Sequence, residues 1–237
     1  MAERFDRELE ELGIRLSEEQ KKQFHKYYEM LVEWNKVMNL TGITDYDEVN
    51  LKHFTDSLTI VRCNDMSKVK RLIDVGTGAG FPGIPLKIVY PEIEVVLLDS
   101  LNKRINFLNA VIDELGLKKI IALHGRAEDF AKKKEFRERF DLCVSRAVAN
   151  LSTLCEYCLP FVGITGHFIS YKSADSDEEI KNAVKAVSIL GGEIKNVDKF
   201  DLPGTNMGRS LVDVEKVRQT PGKYPRKAGL PAKEPLM

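Results

Sequence analysis

Cysteine, histidine and tryptophan are scarce in this chain: its 237 residues include 4 Cys, 4 His and 1 Trp. Cys155-Glu156-Tyr157-Cys158 has the C-x-x-C spacing of a zinc or redox pair, but no second such pair and no H-x-x-x-H accompanies it. No metal site is expected, and these cysteines read as small core residues of a helix. The histidines His25, His53, His124 and His167 are scattered, as structural histidines are. No apolar run approaches the roughly 18 residues that cross a bilayer. The amino terminus is acidic and mixed, unlike a secretory or mitochondrial presequence, so the expected location is the cytoplasm, away from membranes. A net charge is absent too: 36 basic residues face 36 acidic ones, which excludes a global field that would draw in a polyanion.

What is present fits a soluble globular protein, with 43% hydrophobic and 30% charged residues supplying a core and a solvated surface. Charge is uneven along the chain. Residues 1–20 carry seven acids and three bases, whereas residues 215–237 carry six bases and two acids. On charge alone, that basic end is either a local nucleic-acid contact or a solvated tail.

Residues 1–66 read as a helical extension. Leu9, Leu12 and Leu16 form an apolar stripe, Ser17 and Gln20 make a capping box, and Phe24, Tyr27, Tyr28, Leu31, Val32 and Trp34 recur at helical spacing. From residue 67 to 237 the texture alternates. Strands are expected at 71–75, 95–98, 120–123, 141–145 and 167–171, with helices at 84–89, 102–115, 128–135, 151–161 and 177–190 between and after them. Such alternation predicts an α/β fold with a mostly parallel sheet. Two late strands, 193–201 and 210–216, lack a long helix between them and predict a closing antiparallel strand.

The most informative segment runs from Arg71 to Gly83, where an apolar strand ends on Asp74-Val75 and turns through Gly76, Gly78, Gly80 and Gly83. In an open α/β sheet this builds a nucleotide-sized cleft. Gly78 to Gly83 satisfies G-x-G-x-x-G, the dinucleotide fingerprint. Charge favours another ligand. A pyrophosphate seeks helix N–H groups without an acid beside them, whereas S-adenosylmethionine carries an ammonium and a sulfonium, which suit Asp74. Asp99 ends the next strand, where a carboxylate accepts ribose hydroxyls. Ala127-Glu128 opens a helix on the same edge, and Glu128 is either an adenine contact or a first-turn acid favoured by the helix dipole. Arg146 closes the fourth strand at the cleft.

The acceptor is narrowed by absences. Carbon-5 pyrimidine methylation needs a nucleophilic cysteine, and the only Cys-x-Pro, Cys158-Leu159-Pro160, falls at a helix end. Adenine amino methylation typically uses a turn after the fourth strand with an acid or Asn followed by Pro-Pro-aromatic, where this chain has Ser145-Arg146-Ala147. Guanine N7 needs neither device, only alignment with the methyl group and exclusion of water.

Three elements together resemble one family. They are Trp34-Asn35-Lys36-Val37-Met38-Asn39-Leu40-Thr41 with His53-Phe54-Thr55-Asp56-Ser57, the loop from Asp74 to Gly83, and Lys223-Tyr224-Pro225-Arg226-Lys227-Ala228-Gly229-Leu230-Pro231. They are similar to the bacterial small-subunit ribosomal RNA guanine-N7 methyltransferases, the RsmG or GidB family, over nearly the whole chain. The resemblance implies a Rossmann-like, class I S-adenosylmethionine-dependent methyltransferase with an amino-terminal helical extension. Its substrate would be a guanine in the 530 loop of 16S ribosomal RNA, met as RNA, small subunit or precursor, by a monomer. Carried over by position, the cofactor residues are Gly76, Gly78, Phe81, Asp99, Ser100, Leu101, Ala127, Glu128 and Arg146. Lys172, Lys223, Arg226 and Lys227 are the expected substrate contacts. One departure stands out: Tyr171-Lys172 is followed by Ser173 where the family often has glycine. A small-molecule methyltransferase and a non-catalytic RNA-binding or ribosome-assembly module remain the alternatives at this point.

Overall fold

The computed structural model describes residues 2–146 and 149–236; Ala147, quoted above with Ser145 and Arg146, lies outside the described residues. The chain opens with α1 (Ala2–Glu11) and α2 (Glu18–Met38). Ser17 caps α2 as expected: its hydroxyl accepts from Gln20 N while the Gln20 side chain accepts from Ser17 N. Asn39 ends α2 in the left-handed conformation that asparagine tolerates. Four short turns follow without a break: α3 (Tyr46–Val49), a π-helical turn (Asn50–Thr55), α4 (Asp56–Leu58) and a 3-10 turn (Thr59–Arg62). Periodicity foresaw a helix here but not its widening to π, a local feature common near functional sites.

The remainder builds a seven-stranded sheet: β1 (Arg71–Val75), β2 (Glu94–Asp99), β3 (Ile120–His124), β4 (Phe140–Ser145), β5 (Val162–Ser173), β6 (Gly192–Asp201) and β7 (Gly208–Lys216), in the spatial order 3-2-1-4-5-7-6. Strands β1 to β5 pair in parallel, and β7 is inserted antiparallel between β5 and β6. The connecting helices are α5 (Gly83–Val89), α6 (Asn102–Glu114), α7 (Ala127–Phe130), α8 (Leu151–Cys158) and α9 (Asp177–Ile189), with α10 (Leu230–Lys233) near the end. A longer helix is expected at 128–135, yet α7 is a single turn. Phe136 instead folds back edge-on to Phe130, with ring centroids 5.2 Å apart. A continuing helix would carry a residue six positions on to another face.

Because side chains alternate across a strand, the sheet has two cores. Leu72, Val95 and Leu97 face α5, α6 and the amino-terminal helices; Ile73, Val96 and Leu98 face α8 and α9. Phe5, Phe24, Tyr27 and Phe54 join the first of these cores, so the helical extension shares a hydrophobic interior with the sheet. The strand order reverses between β1 and β4, which opens a crevice at their carboxyl ends.

Candidate active site

The loop after β1 is shaped by its glycines. Gly76, Gly78 and Gly80 take φ of 74°, 63° and 101°, a region costly for other residues. A side chain on Gly83 would run into Leu97 and Asp74, so glycine there lets α5 sit down on β1 and β2. Asp74 lies under this loop rather than at its mouth. It is fully buried, and its Oδ2 accepts from Thr77 Oγ1 (2.7 Å) and Gly83 N (2.8 Å). Its place in β1 turns it to the face of Leu72, beneath α5, which corrects the expectation of direct contact with the ligand's cationic groups. Burial pushes its carboxyl up to about 7, and its Oδ1 has no partner among the described residues.

Asp99 reaches the loop from β2. Its Oδ2 accepts from Gly78 N (2.9 Å) and Arg104 Nη1 (3.1 Å), and its Oδ1 accepts from Leu101 N (2.9 Å). A carboxylate offers about four lone-pair sites, so a ribose diol can bind if the half-exposed Arg104 gives way. A cavity of about 220 Å³ lies here, lined among others by Gly76, Asp99, Ser100, Ala127, Glu128 and Tyr157. A Cβ on Gly78 would meet nothing within 4 Å, so the loop offers bare backbone to open space. Two buried carboxylates, Asp99 and Glu128, stand in the wall as acceptors for a ribose diol and an adenine amine, beside the guanidinium groups of Arg104 and Arg126, the first of them paired with Asp99. The fit to S-adenosylmethionine rests on that donor set.

Four expected cofactor residues do not line this cavity: Gly78 and Leu101 reach it only through their backbone N–H bonds to Asp99, and Phe81 and Arg146 stand elsewhere. Phe81 is buried and stacks on His53 with centroids 4.7 Å apart, under the Arg146 guanidinium at 5.1 Å. Arg146 donates from Nη1 to Asp56 Oδ2 (2.8 Å) and to the carbonyls of Lys52 and His53. Burial, and then the Arg146 charge, hold the His53 imidazole down at about 4, so it is neutral. Its Nδ1 donates to Lys52 O, and its Nε2 accepts from Thr41 Oγ1 at 2.7 Å. Phe81 and Arg146 thus form an assembly with the π-helical turn rather than lining the smaller cavity.

Arg146 borders a second, larger cavity of about 570 Å³, which also holds Asp56, Tyr171, Lys172, Glu179 and Arg209. Ala149 lines both cavities, so they are neighbours across one turn. Asp56 Oδ1 accepts from Arg209 Nε at 3.1 Å, so one carboxylate spaces two guanidinium groups. Lys172 donates to Ala149 O (2.8 Å) and to Glu179 Oε1 (2.6 Å). Asp56 falls inside a quoted motif, whereas nothing in the sequence marks Arg209 or Glu179. In the tail, Lys223 and Lys227 are exposed, but Arg226 forms a bidentate pair with the fully buried Glu156. Arg226 is committed within the protein, which separates it from its two neighbours.

A reversed-order sheet with an inserted antiparallel strand, and a cleft at its carboxyl edge that offers Asp99 and Glu128 to a nucleoside, defines a class I S-adenosylmethionine-dependent methyltransferase. Solved structures agree at the level of fold. TYW2 of M. jannaschii in complex with AdoMet aligns with a TM-score of 0.51 over 62% of this chain and 69% of that one, at 13% identity. A mutant of MtNAS aligns with a TM-score of 0.54 over 81% and 74%, at 17% identity. The chain belongs to the GidB family, described as rRNA small subunit methyltransferase G, whose model matches residues 20–207. Proteins named ribosomal RNA small subunit methyltransferase G are close relatives. That of Desulforamulus reducens is 56% identical over 95% of this chain and 94% of its own length. That of Macrococcus caseolyticus is 52% identical over 99% and 98%. No helix among the described residues is long and apolar enough to cross a membrane.

Proposed function

We propose that this enzyme transfers the methyl group of S-adenosylmethionine to N7 of a guanine in the 530 loop of 16S ribosomal RNA. The observation that carries the reading is the adjacency of the two cavities: a nucleoside-sized pocket with Asp99 and Glu128 in its wall adjoins, at Ala149, a larger one edged by Arg146 and Arg209. Gly76, Gly78, Asp99, Ser100, Leu101, Ala127 and Glu128 would hold the donor, which supplies an electrophilic methyl sulfonium when bound. Arg146 and Arg209 suit a phosphate or a guanine edge, because a guanidinium fork pairs with either.

The larger cavity supports N7 as the acceptor. Its carboxylates are engaged, Asp56 by two arginines and Glu179 by Lys172, so no free carboxylate base stands ready among the described residues. N7 has an exposed lone pair and loses no proton on methylation. Alignment and exclusion of water are then the work left to the protein. Lys223 and Lys227 are the tail's remaining candidates for RNA phosphates.

Incubating the purified protein with methyl-labelled S-adenosylmethionine and either free 16S RNA or small subunits tests the reading. Label is expected as N7-methylguanosine in the fragment holding the 530 loop. Label at another base or none with either substrate would overturn it.

A further inference from the structure

The chain after β7, whose charge pattern is open between a nucleic-acid contact and a solvated tail, is tied down against the fold. Arg137 donates to the carbonyls of Thr220 (2.8 Å) and Tyr224 (2.9 Å), and Tyr224 itself is buried. Arg226 then grips Glu156 on α8 through Nε–H (2.9 Å to Oε1) and Nη2–H (2.7 Å to Oε2), and its backbone N adds a third bond at 2.8 Å. Glu156 is fully buried, and removal of one partner from such a pair leaves an uncompensated charge. Further on, Thr153 of α8 donates to Pro231 O at 3.1 Å. Between these anchors, Gly229 N donates to Glu128 Oε1 on α7 at 2.9 Å.

Helices α7 and α8 give the smaller cavity Ala127, Glu128, Leu154 and Tyr157. The tail therefore straps together two walls of that cavity from behind. Glu128 is 3% exposed, and its Oε2 has no hydrogen-bond partner among the described residues. Gly229 sits at φ 81°, a conformation that places this N–H at little cost only because the residue is glycine. A Cβ there would meet open space, so a substitution acts through the backbone rather than by collision.

We propose that the segment Tyr224–Lys233 is part of the methyl-donor site and sets its selectivity for adenine. The Gly229 N–H occupies one oxygen of Glu128, which orients the other toward the exocyclic amine of the base. Arg226 and Glu156 are positioning residues that anchor the segment. The inference rests on the reading of the smaller cavity as the adenosine pocket. Hypoxanthine, which has a carbonyl in place of that amine, turns an acceptor toward the carboxylate and is rejected. A site built to hydrogen-bond a donor discriminates strongly against an analogue that lacks it.

The test compares S-adenosylhomocysteine with S-inosylhomocysteine by calorimetry, on the parent and on Arg226→Ala, Arg226→Lys, Gly229→Ala, Gly229→Val and Asp99→Ala. Circular dichroism first establishes which variants keep the parent fold. The parent should prefer the adenosyl ligand by about tenfold or more. Arg226→Ala and Gly229→Val should lose most of that preference, with Arg226→Lys and Gly229→Ala intermediate and expected to fold if the harsher changes do not. A structural weakening alone would lower both affinities and leave their ratio. A parent without preference, or folded tail variants that keep the parent ratio, overturns the proposal. Asp99→Ala separates the two levels: if it weakens both ligands while the tail variants change nothing, the tail inference alone falls. If Asp99→Ala changes neither affinity, the cavity is not the donor site and both readings fall.

Discussion

Nη1 of Arg146 lies 2.8 Å from Oδ2 of Asp56, a contact that joins residues 90 positions apart. It fastens the amino-terminal turns to the tip of β4, at the edge of the larger cavity. The same carboxylate holds Arg209 from β7, so three distant stretches of chain meet on one acid.

Asp56→Ala should therefore be costly. It strands two partly buried guanidinium groups, and breaking a buried pair by removing one partner typically destabilises by about 3–5 kcal/mol. Both arginine side chains keep some exposure, 18% and 27%, which places the expected loss at the low end of that range. Urea unfolding of Asp56→Ala against Asp56→Asn checks it; a loss below about 1 kcal/mol would show the cluster to be solvated.

Asp99→Ala should weaken S-adenosylmethionine binding while the fold survives. Hydrogen bonds to a charged group contribute on the order of 1.5–3 kcal/mol, so the dissociation constant should rise by at least about tenfold. An unchanged constant in a folded variant would remove Asp99 from the donor site.

Two buried groups on either side of the glycine loop give opposite pH dependences. The folded Asp74 carboxyl is raised by burial to about 7 from 3.8. Its contribution is full below pH 3.8 and is lost as pH climbs toward 7. The folded His53 imidazole is lowered to about 4 from 6.5. Its contribution is full above pH 6.5 and is lost as pH falls toward 4. Stability curves for Asp74→Asn should thus gain on the parent as pH rises through this window, by on the order of 4 kcal/mol at most. His53→Gln should show a shallower acid loss than the parent. Parallel curves for parent and variant would contradict either assignment.

Much of this arrangement was legible in the sequence, for identifiable reasons. The strand cores and the capping box are local patterns, and the glycine run with an acid at each strand tip is a local signal for a nucleoside cleft. The Asp74 reading fixed the residue but missed its direction, because the turn that buries it beneath α5 depends on Gly83 packing against Leu97. Arg226 and Lys227 look alike in sequence. Only the fold brings the buried Glu156, 70 positions away, to the first of them. Arg209 and Glu179 carried no signal because their partners come from other elements.

Replacing Lys223 and Lys227 together by alanine should flatten the salt dependence of RNA binding. Counterion release gives a slope of about −0.7 per phosphate on single strands, so up to about 1.4 of slope should disappear. Salt series on parent and double variant decide it; parallel lines would return both lysines to solvent.

The proposed reaction is methylation of N7 of a guanine in the 530 loop. Mass spectrometry of 16S RNA from cells with and without the gene tests it most directly. The account predicts one N7-methylguanosine in that loop in the presence of the gene, lost on deletion and restored by the parent but not by a folded Asp99→Ala protein. An identical methylation pattern with and without the gene would contradict it.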